Sequence, residues 1–118
     1  MCVPGCTVDE CFAGRPAYQR VIYDRLIAYL RTLGPVHADV VSIGVFLKHQ
    51  SKLAEVRPKA RSLSLELVLR RTVDDPRIAR VLPPIGDRFV HVIKLTGVDD
   101  FDDQIRDWLT EAYDAASI

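Results

Sequence analysis

The clearest pattern in the chain lies between residues 44 and 69. Leu63, Leu65, Leu67 and Leu69 alternate there with Ser62, Ser64, Glu66 and Val68. Period-two alternation predicts a strand with one apolar face and one mostly wet face. Two strand-like segments precede it. Residues 40–49 are apolar and β-branched, with Gly44 read as a bulge, and residues 53–57 return after the turn Gln50-Ser51-Lys52 and stop at Pro58. Connections this short imply antiparallel pairing, since a parallel link needs a crossover of a dozen or more residues.

A helical period governs the flanks. Thr7-Val8-Asp9-Glu10 has the capping-box form and predicts a short helix over 8–13. Tyr18, Val21, Ile22, Leu26, Tyr29, Leu30 and Leu33 then recur at three- and four-residue spacing, with Gln19, Arg20, Asp24 and Arg31 on the opposite side. Pro16 suits the start of that helix and Gly34-Pro35 its end. Beyond the leucine strand, Asp74 or Asp75 predicts the cap of a short helix from Pro76 through Ile78 and Val81. Residues 88–96 alternate as a fourth strand, with Phe89, His91, Ile93 and Leu95 on one face. A final helix over 99–116 carries Phe101, Ile105, Trp108, Leu109, Ala112 and Tyr113 on one stripe. The expected fold is therefore α+β, an antiparallel sheet of about four strands with two long helices packed on its leucine face, in the order α-α-β-β-β-α-β-α.

A chain of 118 residues fits one domain, so 1–118 is expected to fold as a unit, with 1–14 a mobile, cysteine-bearing start. No apolar run is long enough to span a bilayer and no secretory signal pattern opens the chain; a cytoplasmic location without membrane contact is expected. Net charge is zero, yet the signs are segregated. Residues 44–94 hold eleven basic against five acidic side chains, whereas after Thr96 seven acids face only Arg106. Aspartates at the start of the last helix complement its dipole without implying function.

Candidate chemistry is sparse. Cys2, Cys6 and Cys11, with His37 as a distant fourth, are weak candidates for a metal, because they lie at a chain terminus and the Cys6–Cys11 spacing is a little long. No metal and no cofactor are expected. His91, on an apolar strand face, is either a core histidine or a general base working with Glu55 or Glu66. Restriction-type nuclease spacing is met only loosely by Asp39 and Glu55-Val56-Arg57, with Arg in the lysine position. Phosphate loops, nucleophile elbows and His-Glu-x-x-His are absent, and no catalytic residue is assigned. The basic segment is a different matter. Lys48, Lys52, Arg57, Lys59 and Arg61, with His91, form the candidate binding set. The opposite sheet face is expected to expose Ser62, Ser64, Glu66, Lys48, Glu55, Arg57 and Lys94 beside Phe46, Leu53, Val90 and Val92, a mixture suited to self-association.

The stretch 23–35, Lys52-Leu53-Ala54-Glu55-Val56-Arg57-Pro58-Lys59, the leucine strand, Asp75-Pro76-Arg77, Val90-His91-Val92-Ile93-Lys94-Leu95 and the acidic helix to Glu111-Ala112-Tyr113 together resemble the bacterial domain-of-unknown-function 5655 family. The resemblance covers nearly all of the chain after its first dozen residues and leaves the cysteine-bearing start outside. It implies no assigned activity. A "predicted transport protein" label borne by some members finds no support in a chain without a membrane segment. Attachment of similar modules to nuclease-like domains implies an accessory role. Lys59 and His91 fall at recognisable positions, with no role to carry over. The expectation is a non-catalytic binding or interaction module, a homodimer whose basic strand rim engages nucleic acid or another polyanion; the alternative is a small enzyme using His91 and a nearby carboxylate in a sheet-face pocket.

Overall fold

The computed structural model describes residues 7–117. Two helices come first, α1 (Val8–Phe12) and α2 (Ala17–Leu33). Six strands follow, β1 (His37–Val41), β2 (Gly44–Lys48), β3 (Lys52–Pro58), β4 (Leu63–Leu69), β5 (Ile78–Val81) and β6 (Phe89–Leu95). A 3₁₀ turn, Val98–Asp100, leads into α3 (Asp103–Ala115). The strands form one antiparallel sheet in the order β1-β2-β3-β4-β6-β5. The fold is α+β with an antiparallel sheet, but six strands replace the expected four and the order of elements differs.

Two local causes account for the difference. Residues 40–49 are not one strand: the chain reverses at Ser42 and Ile43, so that Val41 pairs with Gly44. Gly44 is no bulge. A Cβ there would lie 2.1 Å from the Val56 carbonyl oxygen, so only glycine lets β2 start this close to β3. The short helix expected after Pro76 is instead the edge strand β5, in which Ile78 pairs with Ile93 and Arg80 with Val92. Two residues of β5 thus oppose one step of β6, a bulge at Ala79. This extra residue returns Ile78 and Val81 to one face three positions apart, the spacing that read as helical.

The core lies between the leucine face and the helices. Ile22, Leu26 and Leu30 of α2 and Ile105, Leu109 and Ala112 of α3 are fully buried against Leu63, Leu65, Leu67 and Leu69. Asp102 caps α3, accepting from the Ile105 N–H at 3.2 Å, and Thr7 caps α1 by accepting from Glu10 at 3.1 Å. Gly34 ends α2 at φ +150°, where the Tyr113 hydroxyl occupies the place of a Cβ. Gln19, expected on the polar side of α2, is fully buried. Its amide donates to the Lys59 carbonyl at 2.7 Å and accepts from the Lys59 N–H at 3.3 Å, fastening the β3–β4 turn to the helix. Val21, expected inside, is 39% exposed. Among the described residues no helix is long and apolar enough to cross a membrane.

Candidate functional site: the charged face of the sheet

Cross-strand register decides which side chains share the sheet face turned away from the helices. Glu55 stands opposite Glu66, Arg57 opposite Ser64, and Ser64 opposite Lys94; Phe46 stands opposite both Asp39 and Glu55. The face is less wet than alternation predicts. Ser64, Glu66 and Val68 are all buried or nearly so, and Glu55 is 1% exposed. Leu53, expected on this face, is turned into the core at a second bulge, between the Leu47–Ala54 and Lys48–Lys52 pairs.

At one end of the face the cations are neutralised. Lys48 reaches Asp39 at 2.7 Å, and His37 reaches the other Asp39 oxygen at 2.6 Å; these two hydrogen bonds hold the Asp39 carboxyl below its ordinary range. Lys52 binds Glu55 at 2.5 Å and sits 4.3 Å above the Phe46 ring. Arg57 donates to Glu55 and forms an ion pair with Glu66 at 3.2 Å. Burial works against the Arg57 charge, but the two carboxylates outweigh it and raise its affinity for the proton. Two glutamates placed directly opposite one another would repel. Arg57 between them removes that conflict.

The other end of the face is different. Lys59, Arg80 and Lys94 border a cleft of about 370 Å³ whose wall and floor include Ser62, Ser64, Ala79 and Val92. All three cations are exposed, and none has an ion-pair partner among the described residues. Lys94 also borders a smaller pocket on its far side with Asp99, Asp100 and Asp102, none of them ion-paired to it. Asp100 accepts from the Thr96 N–H at 2.7 Å, and Asp102 accepts from Arg77 at 2.8 Å, which with the Ile105 N–H holds its carboxyl below the ordinary range. Of the expected binding set, then, Lys59 lines the cleft, Lys48, Lys52 and Arg57 are tied to acids, and Arg61 is exposed beside the turn, its carbonyl accepting from Tyr18 at 3.0 Å. Sequence reading counted Arg80 and Lys94 as basic but did not place them with Lys59. Only the β5–β6 register does so.

His91 lies elsewhere. Its partner across the ladder is Leu67, so its ring is on the core face, fully buried, while Glu55 and Glu66 project from the opposite side. Nε2 accepts from the Val73 N–H at 3.0 Å and Nδ1 donates to the Phe89 carbonyl at 3.1 Å. Both nitrogens are thus engaged by backbone, and the expected pairing of His91 with either carboxylate is corrected. Asp39 and Glu55 are two strands apart, about 10 Å at the usual strand spacing. Among the described residues no group of three or more His, Cys, Asp or Glu stands close enough to hold a metal. Cys11 is half-buried on α1; Cys2 and Cys6 lie outside the described residues.

No curated protein and no solved structure matches the chain. With the α+β sheet and its divided charged face in view, the match of residues 8–116 to the family described as a domain of unknown function (DUF5655) places nearly every described element inside it, and the chain belongs to that family.

Proposed function

We propose that this domain is a non-catalytic binding module that engages an anionic partner through the Lys59, Arg80 and Lys94 end of the open sheet face. The observation that carries the reading is the division of that face. Glu55, Glu66 and Asp39 neutralise Lys48, Lys52 and Arg57, whereas three cations from three different elements meet at one cleft that no acid lines. An anion entering there replaces water around charges that folding leaves unneutralised. Nucleic acid is the polyanion to test first. Its contact is with phosphates rather than bases, because the one aromatic ring on the face, Phe46, is already covered by Lys52. Fluorescence anisotropy of labelled DNA and RNA against salt is the test. Each phosphate neutralised contributes about 0.7–0.9 to the slope of log K against log salt, so three cations give a slope of about 2–3. The Lys59→Ala, Arg80→Ala, Lys94→Ala triple variant is expected to lose most of it. Equal binding by the native and triple-variant proteins refutes the site.

Self-association is a second reading, favoured by one feature at the opposite end of the same face. Ile85 is 80% exposed on a tight turn closed by mutual Ile85 and Arg88 backbone hydrogen bonds. It adjoins an apolar pocket of about 360 Å³ floored by Val68 and Val90. A second copy related by a two-fold axis would place its Ile85 in that pocket, the self-complementary contact a symmetric dimer requires. Sedimentation velocity of the native protein and of Ile85→Asp tests it: a native dimer that the variant converts to monomer supports the reading, and a native monomer ends it.

A further inference from the structure

We infer that the cleft is built to hold a single phosphate monoester group, an inference that rests on the binding reading above and names its ligand chemistry. The argument starts from the bulge. In a regular β5 register, with Ile78 opposite Ile93, Ala79 would face Val92 and Arg80 would face His91, on the core side of the sheet. Inserting one residue places Arg80 opposite Val92, on the open face in the row of Glu66, where it borders one cleft with Ser64 and Lys94 of the next row. Bulges are the common means by which a strand re-aims one side chain. Here the side chain re-aimed is a guanidinium, and what it joins is two ammonium groups and two hydroxyls.

That donor set has a definite chemistry. Lys59 enters from the β3–β4 turn, Lys94 from β6 and Arg80 from the sheet edge, so cations approach from three sides while Ser62 and Ser64 supply neutral donors. Five groups that all donate suit an acceptor with three or more terminal oxygens and two negative charges. A phosphate monoester meets that description, whereas a backbone diester carries one charge and two terminal oxygens. A carboxylate leaves donors unused. Support for Lys59 comes from beneath, since Gln19 holds both polar groups of its backbone. At about 370 Å³ the cleft accommodates a phosphate with the first atoms of whatever carries it, and the near absence of aromatic surface assigns recognition to the phosphate itself.

Such a group has two sources, a small phosphorylated molecule or the phosphorylated end of a nucleic-acid strand. The experiment titrates the full chain with inorganic phosphate, with glycerol phosphate, and with one oligonucleotide carrying either a 5′-phosphate or a 5′-hydroxyl, followed by amide chemical-shift changes. Saturable shifts at Ser62, Ser64, Arg80 and Lys94 with phosphate and glycerol phosphate are expected, and Arg80→Ala or Lys94→Ala should each weaken them about tenfold. Preference for the 5′-phosphate oligonucleotide identifies the strand end as the source; equal binding of the two oligonucleotides beside saturable glycerol phosphate binding identifies the small molecule. Oligonucleotide binding without saturable phosphate binding overturns this inference and leaves the proposed function standing. Absence of any binding overturns both. Saturable phosphate binding unchanged by Arg80→Ala and Lys94→Ala also overturns it, because the ion then sits elsewhere.

Discussion

Gln19 connects the core to the cleft, and replacing it by leucine tests whether that connection matters. The side chain is fully buried, with two hydrogen bonds to Lys59. These bonds are not equivalent. The Lys59 N–H also donates to the Ser62 carbonyl at 3.1 Å, so it keeps a partner when Gln19 is lost. The Lys59 carbonyl loses the stronger bond, at 2.7 Å, and an acceptor orphaned in this part-buried turn costs toward the lower end of about 1–3 kcal/mol. Leucine restores the volume, and its better fit to an apolar site offsets part of that. The net expectation is a loss of about 1–2 kcal/mol, a sizeable share of the roughly 5–15 kcal/mol that holds a domain of this kind together. Urea unfolding followed by circular dichroism measures it as a lower midpoint at unchanged m-value. Anion affinity should fall as well, since the turn that presents Lys59 is no longer fastened. Glutamate at the same position separates polarity from shape. As a carboxylate it sets a second acceptor against the Lys59 carbonyl; protonated, it regains the donor, so its defect relative to the native protein should shrink as pH falls. A leucine variant within about 0.5 kcal/mol of native refutes the account of Gln19 as a structural clamp.

Three further outcomes follow from the ion pairs and the close strand contact. Glu55→Gln should release Lys52 while Arg57 keeps Glu66, steepening the salt dependence of polyanion binding by about one phosphate equivalent; an unchanged slope means Lys52 was never restrained. Glu111 is held below the ordinary glutamate range chiefly by the paired hydrogen bonds from Arg71 at 2.8 and 2.9 Å. A carboxyl with a depressed folded-state pKa adds stability above its unfolded value, near about 4.3, and loses it as pH falls through the folded value. Arg71→Ala should therefore lower the urea midpoint slightly at pH 7, the pair being exposed and screened, and leave it unchanged at the acid end of the same series. Gly44→Ala drives a Cβ against the Val56 carbonyl, forcing β2 and β3 apart at a cost of about 1–3 kcal/mol, read as a lowered thermal midpoint.

What could be read from the sequence was what depends on regular period. The leucine strand, the buried stripe of α3 and the Thr7 cap all appear where local pattern placed them, because each is set by residues a few positions apart. What could not be read involved an interrupted period. Ile78 and Val81 share a face across a bulge, and their three-residue spacing imitates a helix. Ser42 and Ile43 make a hairpin turn without the usual glycine or asparagine, so one long strand was the natural reading of 40–49. Polarity alone puts Gln19 outside, although its two partners are backbone groups forty residues away. The candidate site failed to emerge for the same reason. Eleven cations between residues 44 and 94 are equivalent until cross-strand register shows which of them stand beside an acid.

The register also explains why the leucine strand bears on function through its other face. Ser64 and Glu66, two residues apart on β4, meet opposite electrostatic surroundings. Glu66 lies beside Arg57 and Glu55 in a balanced cluster, while Ser64 lies between Arg57, already occupied, and the free Lys94. Gathering Lys59, Arg80 and Lys94 at one cleft raises the energy of the folded chain through like-charge repulsion, modestly so because water screens exposed charges. Folding accounts for keeping the Arg80 guanidinium off the core side and returning Val81 to it, but not for gathering three cations at one cleft. An arrangement that is slightly unfavourable by itself becomes favourable when an anion enters, and the same repulsion that opposes the empty cleft then adds to the affinity for a doubly charged guest.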